Sequence, residues 1–257
     1  MALLIIKIAV TLATVLALAW LAERLSTRVA GVLAGFPLGT GVALFFLGYE
    51  QGPAFAADAA RGTLLGFIGA QALALAFAAS AGQNRIKTLV LSLLAFVVVA
   101  LPLSLLDLPL WAALLASIAF TLVAHRLMRH LADTAITLKR RPGWGVHIAR
   151  GVISGLIVVG ITSAGYWGTA ALSGVLAAFP VTFFPLLAII FWQHGPAPAQ
   201  TLVKHYPAGL GSLITHTVAV FWLYPLIGVY WGTLGALALA TLWSFGWLAW
   251  QRRNALA

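Results

Sequence analysis

His216 is the residue best placed by its surroundings to do chemistry. The triplet Thr215-His216-Thr217 sits inside an apolar run spanning 206–229. An imidazole titrates near neutral pH and can relay a proton or hydrogen-bond a polar solute. Gln71, in the apolar run 59–80, is the other strongly polar group so embedded. Such groups are costly in an apolar medium and are candidate sites by default, although each could equally serve one interhelical hydrogen bond. The chain holds only five acids, Glu23, Glu50, Asp58, Asp107 and Asp133. None adjoins His216, so proton coupling through it has thin support. Paired-carboxylate, H-E-x-x-H, G-x-S-x-G and P-loop patterns are all missing. Cysteine is absent, which excludes disulfides and thiolate chemistry. His125, His130 and His147 lie in a basic stretch hostile to a divalent cation. These residues point away from an enzyme and imply no metal or cofactor.

The elements that must position such residues repeat themselves. Gly31-Val-Leu-Ala-Gly-Phe-Pro37 returns 143 residues later as Gly174-Val-Leu-Ala-Ala-Phe-Pro180, with six of seven positions identical. At the same offset Gly52-Pro53-Ala54 meets Gly195-Pro196-Ala197, and Arg61 meets Lys204. Gln71 and His216 fall two residues out of this register. A chain with this pattern was built from two copies of one unit. The secure core of the match is 24–75 against 167–218.

Composition supplies the solvent. With 62% hydrophobic and 8% charged residues, the apolar surface exceeds what a water-soluble core consumes, and lipid is the expected medium. Apolar runs occur near 2–22, 29–48, 59–80, 87–106, 109–125, 146–166, 170–192, 206–229 and 231–250, nine in all. The run 87–125 is divided only by Leu106-Asp107-Leu108-Pro109, and a kink is expected at Tyr224-Pro225. Residues 3–22 carry a signal-like Ala17-Leu-Ala19 but lack a basic leader, and the repeat offset pairs them with 146–165. They read as a retained helix.

The net charge of +10 could suggest a nucleic-acid partner, but the basic residues lie between apolar runs and form no helical stripe. They read instead as topology signals. Labelling the connections alternately puts thirteen Lys/Arg on one side and two, Lys7 and Arg61, on the other. That places the N-terminus outside and the C-terminus in the cytoplasm. Trp20, Trp192, Trp247 and Trp250 then fall at inner helix ends, and Trp111, Trp167 and Trp231 at outer ends. The organisation is an N-terminal repeat over 1–125, a basic linker over 126–145 and a C-terminal repeat over 146–257. The linker's charge could bind anionic lipid, or serve orientation alone.

The two Phe-Pro segments lie an odd number of spans apart, so the repeat is inverted, and inverted halves suit alternating access. A proline inside a helix removes one hydrogen bond and costs about 3 kcal/mol in water. In lipid the freed carbonyl needs a partner or a wet cavity. Gly35, Phe36, Pro37, Gly39, Thr40 and Gly41 break the second span, and Phe179, Pro180, Thr182 and Pro185 break the seventh. Structural kinks with glycines for close packing are the competing reading. Arg61 and Lys204 open the third and eighth spans, where they could attract an anion or snorkel into headgroups.

Ala30, Gly31, Phe36, Pro37, Gly52 and Arg61, with Gly174, Phe179, Pro180, Gly195 and Lys204 in the second copy, resemble the motif of the GlpM family of bacterial inner-membrane proteins. That unit has about four spans, so the chain resembles an inverted tandem of it. The extra span, the longer Gly52–Arg61 spacing and Ser173 in place of alanine depart from the pattern. The doubled architecture is also similar to that of the drug/metabolite transporter superfamily. The expectation is an all-α polytopic membrane protein, an inverted-repeat bundle of about nine transmembrane helices with two of them broken. It would reside in the bacterial cytoplasmic membrane among lipids, with a small or amphipathic solute as cargo and no nucleic-acid partner. Arg61 and Lys204 would favour an anionic solute. The oligomeric state is left open. A secondary transporter or flippase is the leading expectation, and a non-transporting scaffold for a membrane enzyme complex the alternative.

Overall fold

Glycine followed by proline stops one helix and starts the next at two places. Gly52 (φ 96°) and Gly195 (φ 85°) occupy the left-handed region that closes a helix C-terminus. Pro53 and Pro196 follow at the first helical position, where a missing N–H is harmless. In this computed structural model residues 5–14, 36–134 and 144–256 are described. Among them the secondary structure is helical, without strands. The helices are α1 (Ile5–Thr14), α2 (Leu38–Gln51), α3 (Pro53–Ser80), α4 (Arg85–Leu103) and α5 (Leu110–Met128). They continue as α6 (Trp144–Trp167), α7 (Ala170–Ala177), α8 (Phe183–His194) and α9 (Pro196–Leu256).

Nine helices are therefore described, though not the nine runs expected. The run 170–192 is two helices, α7 and α8, separated at Pro180. The runs 206–229 and 231–250 join in α9, which bends at Gly228 (φ 78°, ψ 170°). The expected kink at Tyr224-Pro225 is thus displaced by three residues, because glycine reaches a conformation closed to proline. The split of 87–125 into α4 and α5 is as expected. Gly35, the first-copy residues 30–34 and the linker cluster Lys139–Arg141 lie outside the described residues.

Helix boundaries keep the sequence offset. The 143 residues that carry Pro53 onto Pro196 also carry Arg85 onto Gly228, where the last arm of α9 begins. On these boundaries α4 pairs with 229–256, and the surplus helix of the first half is α5. Segments 109–125 and 233–250 are alike in texture, both apolar and rich in small residues, but the helix boundaries do not pair them.

Among the described residues four helices are long and apolar enough to cross a membrane: Pro53–Ser80, Arg85–Leu103, Leu110–Met128 and Pro196–Trp247. α3 is the hub and packs on α2, α4, α5, α7 and α9. It approaches α7 backbone to backbone. A Cβ on Gly66 would stand 2.7 Å from Val175 O, and one on Gly174 would collide with Ala59 O. The Thr63 hydroxyl donates to Gly174 O at 3.0 Å across the contact. α4 and α5 are dressed inside out. α4 buries Thr88, Ser92, Phe96 and Ala100 and exposes Leu94, Val97, Val98 and Leu101. α5 buries Ala113, Ser117 and Ala124 and exposes Leu115, Leu122 and Leu127.

Candidate functional site

The two Phe-Pro segments fold into one and the same turn. Leu38 N–H donates to Phe36 O at 2.7 Å, and Val181 N–H donates to Phe179 O at 2.7 Å. Gly41 N–H then donates to Pro37 O at 2.8 Å, and Phe184 N–H to Pro180 O at 2.8 Å. All four atoms of the first pair of bonds map onto the second at the repeat offset. Pro37, with φ −75° and ψ 41°, lies close to an inverse γ-turn. Each turn restarts a helix, α2 after Pro37 and α8 after Thr182. Of the two breaks read from the sequence, the one at Pro180 lies between α7 and α8, while at Pro37 the described residues show the turn that opens α2. Pro185 breaks nothing, since it sits in the first turn of α8, where its missing donor goes unnoticed.

The turns meet. A Cβ on Gly39 would lie 3.2 Å from Val181 Cβ and 3.7 Å from Thr182 Cγ2. Between them is a cavity of about 10 Å³, lined by Phe36, Thr40, Phe179, Thr182, Tyr206 and Leu213 among others. That volume holds roughly one water. Phe183 stacks on Tyr206 with centroids 4.0 Å apart, and Phe179 sets its edge against Phe96 at 5.1 Å. Ser154 Oγ donates to Val181 O at 3.0 Å, so a carbonyl exposed by the turn is met from α6.

His216 belongs to this centre. Its Nε2 is 3.3 Å from the place a Gly41 Cβ would take, and Pro37 Cβ is 3.9 Å from the same point. The ring is fully buried, and neither nitrogen has a hydrogen-bond partner. A buried polar group left unsatisfied costs free energy on the order of 1–3 kcal/mol, so the unsatisfied imidazole against Gly41 has open hydrogen-bonding capacity, although it does not itself line the small cavity between the turns. Gln71 does not join it. Its Nε2 donates to Thr121 Oγ1 on α5 at 2.8 Å. Five residues past Gly66 is about 140° round the helix from the α7 contact, which turns Gln71 away from the breaks.

Arg61 and Lys204 do not open their helices, because the Gly-Pro pairs start them earlier. Each stands eight residues beyond its proline, Pro53 or Pro196. Arg61 pairs with Asp58 at 3.0 Å and Asp107 at 3.4 Å. Lys204 pairs with Asp133 at 3.1 Å and donates to Leu131 O at 2.6 Å. Asp107 precedes α5 and Asp133 follows it. The equivalent cations are therefore held at opposite ends of a helix about 28 Å long. Asp133 also meets His205 Nε2 at 2.8 Å. Burial works to raise its carboxyl, while the hydrogen bonds and charges of His205 and Lys204 outweigh that and hold it below the usual carboxylate range.

A further charged pair, like those of Arg61 and Lys204, has no counterpart in the sequence expectations. Lys7 Nζ is 2.5 Å from Glu50 Oε1 and donates to Thr162 Oγ1 at 2.5 Å, tying α1 to α2 and α6. Both side chains are buried, and Lys7 also lies 5.7 Å from the centre of the Phe46 ring. The only sequence signal was a lysine interrupting an apolar run, which reads as a topology mark just as well.

No protein-family model matches the chain, and no curated protein or solved structure does either. The site therefore rests on its own geometry.

Proposed function

We propose that this is a multi-pass membrane transporter, a secondary carrier or flippase, whose inverted halves alternate access to a site between the two Phe-Pro turns. Its cargo is a small or amphipathic solute. The medium is argued from α4 and α5, which hide hydroxyl and small side chains and present Leu and Val outward. In water that arrangement is backwards; in lipid, close packing of small residues is what joins helices. Inversion is supported by Arg61 and Lys204, equivalent in sequence and clamped at opposite ends of α5. The orientation, N-terminus outside and C-terminus inside a bacterial cytoplasmic membrane, follows from the distribution of Lys and Arg.

The observation that carries the proposal is the contact of two identical turns across a one-water cavity, with the unsatisfied His216 beside them. A solute cannot fit as the turns stand, so this is the occluded arrangement of the cycle. Opening parts α2 from α8 on one side or the other, and the symmetry of the turns makes the two openings similar in energy. The same tightness suits a scaffold with no pathway, and that is the second reading.

The chain has no cysteine, so Thr40→Cys introduces a single thiol beside the cavity. A membrane-impermeant maleimide should label it in right-side-out and in inverted vesicles, more slowly than a surface control at Gln83→Cys. Labelling from neither side would establish the scaffold. Labelling from one side alone would rule out alternation.

A further inference from the structure

A second, larger cavity lies between α5 and the two arms of α9, about 370 Å³ in volume and partly open. Its walls are Ile118 and Leu122 from α5 and Pro207, Ala208 and Ile214 from α9, with Trp243 and Trp247 from the last arm. The two indoles stack with centroids 5.6 Å apart, 8° from parallel, and form one flat side. Thr121 and Thr215 are the polar residues among the apolar ones, and His125 stands at the end where α5 finishes. A site of this volume, mostly apolar with a few polar groups, has the make-up of a ligand pocket.

It is separate from the turn cavity. Leu213 lines the turn cavity and His216 touches Gly41, whereas Ile214 and Thr215 face the larger space. One turn of α9 divides them.

Charge selects the occupant. Ile118, Leu122, His125 and Arg129 succeed one another at helical spacing along one face of α5. The stripe passes from apolar wall to imidazole to an exposed guanidinium, with Arg126 exposed beside it. Among the described residues the acid nearest that rim in sequence is Asp133, which is already shared by Lys204 and His205. An apolar slot ending in uncompensated cations takes a chain with a negative head. We infer that this cavity binds a single-chain anionic amphiphile, its acyl chain against Trp243 and Ile118 and its head at His125 and Arg129. This stands whether or not the turns alternate.

The test uses the full chain purified in a nonionic detergent, with retention read by native mass spectrometry and stability by melting temperature. The probes are palmitate, palmitoyl-lysophosphatidylglycerol and the zwitterionic palmitoyl-lysophosphatidylcholine. One equivalent of an anionic probe should be retained and should raise the melting temperature. The choline lipid should bind about fivefold more weakly, the worth of one basic residue near a headgroup. Tighter retention of palmitate identifies a free acid as the source, and tighter retention of the phosphatidylglycerol identifies a lipid; retention of neither overturns the site. Ala208→Phe fills the slot and should abolish retention. Arg129→Gln leaves the slot intact and should erase only the preference for negative heads, which keeps the proposal testable if Ala208→Phe fails to fold. Wild-type binding and preference in both variants would refute it. Maleimide labelling of Thr40→Cys is unaffected by either result, so failure here and failure of the transport reading are distinguishable.

Discussion

The imidazole of His216 stops 3.3 Å from the point where a Cβ on Gly41 would begin. Glycine at 41 therefore leaves room for the ring, which would have to give by a few tenths of an ångström for a methyl there and by more for a larger side chain. The ring's nitrogens find no partner in return. That contact costs stability rather than adding it, which is the pattern expected of a group kept for function.

His216→Leu should accordingly leave the melting temperature unchanged or raise it, because an apolar group of similar size removes an unsatisfied donor and acceptor. Any solute that stabilises the wild type should no longer do so. Gly41→Val should instead destabilise by about 1–3 kcal/mol through overpacking. A melting temperature several degrees lower in His216→Leu would show that the ring has a structural partner and remove it from the site.

Pro37→Ala and Pro180→Ala restore a backbone donor to each turn. Both variants should fold with melting temperatures at or above the wild type's. Combined with Thr40→Cys, Pro37→Ala and Pro180→Ala should each suppress maleimide labelling from one side, because a straightened helix favours one opening. Gly39→Leu, which meets Val181 at 3.2 Å, should suppress it from both. Unaltered labelling in all of these backgrounds would sink the site between the turns.

Much of this site was legible because proline and repetition are local signals. Phe36-Pro37 and Phe179-Pro180 announce their breaks without knowledge of the fold, and the offset announces that the breaks are equivalent. Helix starts are less legible: the repeat draws attention to Arg61 and Lys204, while the start signals are the Gly-Pro pairs eight residues earlier. Partnerships across the bundle were not legible. His216 and Gly41 are far apart in the chain, and Gln71 went to Thr121 because of an angle around α3 that depends on which neighbour α3 chooses. Lys7 shows the limit most plainly, for a lysine in an apolar run looks the same whether it reaches for headgroups or for a buried carboxylate.

The Lys7–Glu50 pair predicts a specific double-mutant result. Removing one partner strands a buried charge, so Glu50→Leu and Lys7→Leu should each cost about 3–5 kcal/mol. The double variant should recover most of that loss, since neither charge is then left alone. Melting temperatures of the four proteins give the coupling. Additive losses would mean that the two charges are not paired in the folded protein.

Asp133 sets an acid limb. Its carboxyl is held below the usual aspartate range, so its contribution is present above about pH 4 and is lost as pH falls through the lowered folded-state value. Asp133→Asn should flatten this part of the stability-versus-pH curve and leave the neutral region little changed, the pair being half exposed. A steeper acid limb in Asp133→Asn than in the wild type would contradict the assignment.

Orientation gives the last prediction. Fifteen Lys and Arg residues divide thirteen to two between alternate connections, and Lys7, buried against Glu50, is no longer a loop charge. The minority side keeps only Arg61, itself neutralised by Asp58 and Asp107. Acidic partners count for little in this rule, and Lys204 on the majority side is likewise paired, with Asp133, so the expected orientation rests on the one-sided Lys/Arg count itself. Reporters fused after Gln51 and after Gly82 bracket α3, one of the four helices able to cross. The first should report the outside and the second the cytoplasm. The reverse pair would invert the topology while leaving the repeat intact. The same compartment for both would mean that α3 does not cross, and with it would fall the opposed orientation of Arg61 and Lys204 on which inversion rests.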